Sequence, residues 1–228
     1  MTSAAPVQRE PGVLSHRLSA SDFTGKPCLF LDRDGVVVEE THYLHRTEDV
    51  VLIDAVAKAI AKANALGVAV VMATNQAGIG RGYYGWREFE RVQQHILDAC
   101  GALGARCDMV LACAYHREGI APYNREAHSW RKPAPGMLLE AARVLGVDLS
   151  QSHIVGDTIA DLAAGAQAGL PGGTLVLTGH GEHEWRQGGE AAFTLYEKSG
   201  SFAPRLASNG AEAIENWLGS LSLEANAV

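Results

Sequence analysis

Short apolar runs at 28–31, 68–73, 109–114, 153–155 and 174–177, each bounded by Gly, Asp or Asn, alternate with segments that carry a helical repeat. Runs this brief and this rich in Val and Leu are the signature of parallel strands covered on both faces. Between the first two runs, residues 55–66 place apolar side chains three and four apart, with Asp54 as the expected N-cap and Gly67 as the stop. Comparable helical patterns occupy about 86–103, 137–145 and 159–168. Regular alternation with short connections predicts an α/β fold, a three-layer sandwich around a mostly parallel central sheet. Ligands of such sheets bind at the carboxyl ends of the strands.

Three stretches interrupt the pattern. Residues 1–24 hold no long apolar run and read as a loose N-terminal arm in front of a domain over 25–228. Residues 115–135 are long, polar and proline-containing, which reads either as a functional loop or lid near the site or as a disordered segment. Residues 179–210 have little periodicity, after which Asn209 and Glu212 open a last helix expected to end near Trp217. With 228 residues, 47% of them hydrophobic, the chain can bury one sizeable core. Its net charge of -7 offers no positive field for nucleic acid, and no run is long enough for a membrane span, so a small molecule is the expected partner. The 4 cysteines form no C-x-x-C pair, which fits free thiols in a cytoplasmic protein, expected to be a monomer.

The chemistry concentrates at strand ends. Leu29-Phe30-Leu31-Asp32-Arg33-Asp34-Gly35 is an apolar strand that ends in two carboxylates one residue apart, followed by a glycine that lets the chain turn away. Phosphoryl transfer needs an in-line nucleophile, a metal and cationic or hydrogen-bonding groups on the phosphate oxygens, and a proton donor for the leaving alkoxide. Asp32 can attack phosphorus, and Asp34 can protonate the leaving oxygen and then activate water. Thr74 and Asn75, ending the second strand, can donate to phosphate oxygens. Lys132, in Arg131-Lys132-Pro133, supplies a point charge, and Arg131 can hold a second anionic group. Gly156-Asp157-Thr158 ends the fourth strand, and Asp32, Asp157 and the backbone carbonyl of Asp34 make an oxygen set suited to Mg²⁺.

The motifs DxDG, TNQ, RKP and GDxxxD, in this order, resemble those of the haloacid dehalogenase-like phosphatases. Through FLDRDG, TNQAGIGRG, RKPAPGM and the GD pair, residues 30–179 are similar to the branch holding the D,D-heptose 1,7-bisphosphate phosphatases and histidinol phosphatases. The resemblance implies a Rossmann-like core with little or no cap domain, with Asp32 as nucleophile and Asp34 as acid/base. It gives Thr74 and Lys132 as phosphoryl stabilisers, Arg131 in substrate recognition, and Asp32, Asp34 and Asp157 around Mg²⁺. Glu40, Thr41, His42 and Tyr43, the run Thr74, Asn75, Gln76 and Ala77, and Thr158 are expected against a phosphorylated sugar or similar metabolite. The heptose bisphosphate is the expected substrate and histidinol phosphate the alternative. A non-enzymatic alternative, a receiver-like or idle phosphate-binding module, is opposed by Asp34, since a receiver has no group placed to protonate a leaving oxygen.

The chain departs from the family pattern in two places. The zinc ligands that commonly hold the family's long loop are replaced here by Cys113, Tyr115, His128 and Trp130, with only Cys113 unaltered. Zn²⁺, which wants four N or S ligands, is therefore not expected, and packing of Tyr115 and Trp130 is expected to hold the loop. Thr158 stands where the heptose branch often has lysine. Asp161 has two readings, a site carboxylate or a first-turn helix residue favoured by the dipole. His42 and His45 read as ordinary surface histidines, the 83–86 stretch as packing at a helix start, and Cys28 and Cys100 as small core residues.

Overall fold

The computed structural model describes residues 5–225. In chain order the elements are β1 (Val7–Glu10), β2 (Val13–Arg17), β3 (Cys28–Leu31), α1 (Asp54–Ala65), β4 (Ala69–Asn75), α2 (Ala77–Gly80), α3 (Trp86–Ala102), β5 (Met109–Cys113) and α4 (Gly136–Leu145). They continue with β6 (His153–Gly156), α5 (Ile159–Ala168), β7 (Gly172–Val176), α6 (Gly181–Glu184), α7 (Glu190–Ser199), β8 (Ala203–Ala207) and α8 (Gly210–Ala225). The strands form one sheet in the order β1-β2-β5-β4-β3-β6-β7-β8. From β5 to β8 every neighbouring pair is parallel, while β2 joins β5 antiparallel and β1 joins β2 antiparallel. The expected α/β sandwich with a mostly parallel sheet is what the chain forms, and its central strands lie within a few residues of the runs read from sequence.

The period of two along a strand assigns side chains to two cores. Leu29 and Leu31 of β3, Val70 and Met72 of β4, and Val110 and Ala112 of β5 pack against Val56 and Ile60 of α1, Val92 and Ile96 of α3, and Ile214 of α8. Their neighbours Cys28 and Phe30, Val71 and Ala73, and Met109 and Leu111 face Met137, Leu138 and Ala141 of α4 and Leu162 of α5. Burial on both faces explains the unbroken apolar runs. It also leaves the strand ends as the only places where these segments can present polar side chains to solvent.

Four expectations are corrected. The stretch read as a loose arm supplies β1 and β2, with Val13 and Leu14 buried and β2 registered along β5 from Val13↔Cys113 to Arg17↔Met109. The weakly periodic 179–210 stretch contains α6, α7 and β8. Only Phe193 of α7 is buried, and β8 is an exposed edge, so neither element needs a strong hydrophobic repeat. Asp54 is the first residue of α1 rather than its cap; Ile53 holds that place without a side-chain cap. The last helix runs past Trp217 to Ala225. None of the helices of the described residues is long and apolar enough to cross a membrane.

The long loop after β5 is tied to the N-terminal hairpin. Tyr115 is fully buried, and its hydroxyl donates to Glu10 Oε2 at 2.9 Å. Arg125 Nη1 donates to the same oxygen at 3.1 Å, and His128 Nε2 lies 2.9 Å from Glu10 Oε1. His128 Nδ1 accepts from Trp130 N at 3.1 Å, which leaves the ring proton on Nε2, facing the carboxylate. The rings of Tyr115 and His128 are 4.4 Å apart, and the Arg125 guanidinium lies 4.4 Å from the Tyr115 ring centre. Packing of Tyr115 is thus joined by a polar pin from β1, a segment expected to be loose.

Candidate active site

The carboxyl ends of β3, β4, β6 and β7 open into a cavity of about 360 Å³. Asp32 directly follows β3, and its N–H donates to Val155 O at 3.0 Å, continuing the ladder with β6 one residue further. Gly35, at φ +76°, turns the chain back, and a Cβ there would collide with the Asp157 carboxylate. Asp157 itself follows β6, with Oδ2 accepting from His180 N at 2.8 Å. Asp161 sits in the first turn of α5, where its Oδ2 accepts from Thr158 N and Thr158 Oγ1 at 3.1 and 2.6 Å. Both readings of Asp161 hold together, because its other oxygen, Oδ1, lies 2.5 Å from Lys132 Nζ.

Lys132 is buried and central. Its Nζ lies 3.1 Å from Asp32 Oδ1 and donates to Ala73 O at 2.7 Å. The main chain of Lys132 is fixed by a reciprocal pair with Asn75. Lys132 N donates to Asn75 Oδ1 at 3.1 Å, and Asn75 Nδ2 donates to Lys132 O at 3.0 Å. The TNQ and RKP motifs are thereby joined through one amide. Burial alone would lower the Lys132 pKa, but the Asp161 and Asp32 carboxylates outweigh it and raise the ammonium above its ordinary value.

The carboxylates are not balanced by this single ammonium. Burial, aided by the nearby charges of Asp161 and Asp34 and opposed by Lys132, pushes Asp32 up to about 6. Burial together with Asp32 and Asp161 raises Asp157 well above the ordinary carboxylate range. One oxygen each from Asp32, Asp157 and Asp161 lies within 4.8 Å of the others. Hard oxygen donors gathered this closely, with their charge in excess of the local cation, fit a divalent ion such as Mg²⁺. The Asp34 side chain is turned elsewhere, to Arg33 and Gln76, and is not part of this carboxylate group.

The remaining expected residues divide. Glu40, His42, Tyr43, Asn75, Gln76, Ala77, Arg131 and Thr158 line the cavity with Asp32, Asp34, Lys132 and Asp157, whereas Thr41 is not on its wall. Thr74 is buried beneath it, its Oγ1 accepting from Gln76 Nε2 at 2.9 Å. His42 and Tyr43 occupy the left-handed region at φ +54° and +59°. For side chains of this size that conformation costs roughly 1–2 kcal/mol each, and such strain collects at binding sites. Tyr43 is held in it by Arg81, whose Nη1 donates to the Tyr43 hydroxyl at 2.7 Å. The sequence reading missed Leu44, Gly78, Tyr84 and His180 as wall residues. His180 had a signal, since it follows the carboxyl end of β7 as the other site residues follow theirs. Tyr84 had none, because it reaches the cavity from the start of a helix.

Among the described residues, Cys113, His116 and His128 do not gather into a metal-binding group. Cys113 is buried in the core with its thiol pushed up to about 11 by burial.

A family model described as HAD-hydrolase-like matches residues 129–197. The D-glycero-beta-D-manno-heptose-1,7-bisphosphate 7-phosphatase of Mesorhizobium japonicum is 47% identical over 168 residues, covering 73% of this chain and 77% of the relative. The alpha-configured counterpart of Burkholderia mallei is 41% identical over 151 residues, covering 66% of this chain and 79% of the relative. Among solved structures, a HAD-like phosphatase from Mesorhizobium loti superposes with a TM-score of 0.80 at 38% identity, covering 95% of this chain and 96% of that one. The D,D-heptose 1,7-bisphosphate phosphatase of B. bronchiseptica, complexed with magnesium and phosphate, superposes with a TM-score of 0.70 at 29% identity, covering 85% and 99%.

Proposed function

This chain belongs to the haloacid dehalogenase-like phosphatases, in the branch that holds the heptose-1,7-bisphosphate 7-phosphatases, and from that premise we propose that it removes the 7-phosphate of D-glycero-D-manno-heptose 1,7-bisphosphate through a phosphoryl group carried on Asp32. The observation that carries the reading is the meeting of Asp32, Asp157 and Lys132 on the wall of one cavity, with Asp161 behind them against Lys132 and within reach of the same ion. Asp32 is the nucleophile, since it is the residue that ends the central strand between the two halves of the site. Its oxygen bonds to phosphorus as the bond to the leaving sugar oxygen breaks. Asp34 supplies a proton to that oxygen, and afterwards takes one from the water that releases phosphate from Asp32. Lys132 and the Thr74 hydroxyl hold phosphoryl oxygens. Thr74 Oγ1 accepts from Gln76 Nε2, and its O–H is left to donate to a phosphoryl oxygen. Mg²⁺, when bound by Asp32, Asp157 and the Asp34 carbonyl with Asp161 adjacent, supplies charge neutralisation on the phosphoryl group.

Arg131 stands at the base of the long loop, with Nη1 donating to Tyr115 O at 2.9 Å, and takes the second anionic group of the substrate. Glu40, His42 and Tyr43 close the opposite wall around the sugar. A cytoplasmic monomer belongs to the same reading; the cysteines Cys28, Cys100, Cys107 and Cys113 are all free and buried. The test is phosphate release, with Mg²⁺ and with chelator, from both anomers of heptose 1,7-bisphosphate, from histidinol phosphate and from other sugar phosphates. Release from the heptose bisphosphate that stops on chelation is the expected result. Preference for histidinol phosphate, or release indifferent to Mg²⁺, would overturn the substrate or the metal part respectively.

A further inference from the structure

Arg33, the residue between the two aspartates, has a side chain that is 1% exposed. Its guanidinium faces Asp34, with Nε 3.1 Å from both carboxylate oxygens and Nη2 2.8 Å from Oδ2. Below it lies the Phe89 ring of α3, with the Arg33 Cζ 5.3 Å from the ring centre. Nη1 has no partner among the described residues. Burying a guanidinium with a nitrogen unpaired is costly, and an apolar side chain would fill the same space without that cost. Its shortest hydrogen bonds, from Nε and Nη2, all go to one carboxylate.

The arrangement extends through Gln76. Its Oε1 accepts from Tyr84 OH at 2.7 Å and from Arg33 Nη2 at 3.3 Å. With two donors on the carbonyl side, the amide has one orientation, and Nε2 must face Asp34 Oδ2, 3.1 Å away, and Thr74 Oγ1. Flipped, it would set its own oxygen against the carboxylate. Asp34 Oδ2 therefore accepts from Arg33 and Gln76, while Oδ1 meets only Arg33 Nε and keeps room for a proton. Tyr84 is set in turn by a stacked His45, with ring centres 5.4 Å apart.

We infer that Arg33, with Gln76 and Tyr84 behind it, is a positioning residue that holds Asp34 with one oxygen presented to the leaving group. The inference rests on the role given to Asp34 above. In the first half-reaction an Asp32 oxygen bonds to phosphorus, the phosphorus–oxygen bond to the leaving group breaks with its electron pair on that oxygen, and the Asp34 proton moves to it, yielding an alcohol and phosphorylated Asp32. A 4-nitrophenolate leaves without needing that proton. Misplacing Asp34 must then slow a sugar phosphate and largely spare an aryl phosphate, whereas general damage to the fold slows both.

The experiment compares kcat/KM, which reports the steps through cleavage of the leaving group, for heptose 1,7-bisphosphate and 4-nitrophenyl phosphate in the full-length Mg²⁺-loaded protein. Asp34→Asn sets the largest selective loss. Arg33→Met is expected to lower the sugar phosphate about 100-fold, within the range of general acid catalysis, and the aryl phosphate by less than about fivefold. Arg33→Lys should recover part of the loss. Tyr84→Phe, which removes only a hydroxyl, is expected to give a selective loss of about fivefold and decides the matter if Arg33→Met does not fold. Parallel losses on both substrates in Arg33→Lys and Tyr84→Phe, or no loss on the sugar phosphate, would overturn the positioning role. Parallel losses in Asp34→Asn would instead overturn the role of Asp34 itself.

Discussion

Asp32 and Glu10 are both carboxylates beside the same long loop, and their surroundings drive them in opposite directions. Asp32 is largely covered among other carboxylates, with one ammonium between them, and its pKa rises to about 6. Glu10 feels a burial effect of the same sign, but the hydrogen bonds from Tyr115 and His128 and the charge of Arg125 outweigh it and hold Glu10 below its ordinary value. The first region is left short of positive charge, as a site that takes a cation and an anionic substrate must be. The second is satisfied by its own neighbours and serves as a clamp. Charge imbalance, more than the presence of acids, separates the site from the scaffold.

The largest effect that sharpens this contrast comes from removing each carboxylate. Asp32→Asn should lower phosphate release at least about 10⁴-fold, as loss of a nucleophile does, in a steady-state assay where Glu10→Gln remains active. Metal binding comes next. Mg²⁺ at about 100 times its Kd should stabilise the folded protein by about 2.7 kcal/mol, read as a rise in Tm. Asp157→Asn should abolish that rise, and an unchanged rise would remove Asp157 from the metal set.

The pH dependence should differ in sign between the regions. Because folding raises the Asp32 pKa from 3.8 to about 6, the folded state holds its proton more tightly. The metal-free protein should then lose on the order of 3 kcal/mol as pH rises through that window. Thermal melts of Asp32→Asn in chelator should lack that decline. Glu10 contributes in the other direction, its stabilisation being present above 4.5 and lost as pH falls. Glu10→Gln is the smallest change expected, a loss of about 1 kcal/mol at pH 7 for a hydrogen-bonded ion group that is partly solvated. The deficit should close in acid, and a deficit that persists there would show that shape, not charge, pins the loop.

The two regions also differ in how far the sequence reveals them. Asp32, Asp34, Thr74, Lys132 and Asp157 are legible because each stands next to an apolar run or a rigid proline turn, and the fold can only expose polar groups at those ends. Asp161 was half legible, since its place in the first turn of α5 satisfies the capping pattern and conceals its contact with Lys132. The clamp was not legible at all. Glu10 belongs to a four-residue edge strand with little apolar content, and its partners Tyr115, Arg125 and His128 are more than a hundred residues away in sequence. Edge elements such as β8, with Pro204 and the exposed Leu206, escape for a related reason: only Ala207 of that strand is buried, too little to impose an alternating pattern.

The central claim is that Asp32 carries the phosphoryl group, and the most direct measurement is mass spectrometry of the protein quenched in acid during turnover of heptose 1,7-bisphosphate with Mg²⁺. The expected result is one phosphoryl group on the peptide containing Asp32, absent in Asp32→Asn and present in Asp34→Asn if transfer still occurs. Phosphate released in a single turnover with no phosphorylated protein at any time, or with the phosphoryl group on another residue, would contradict the account.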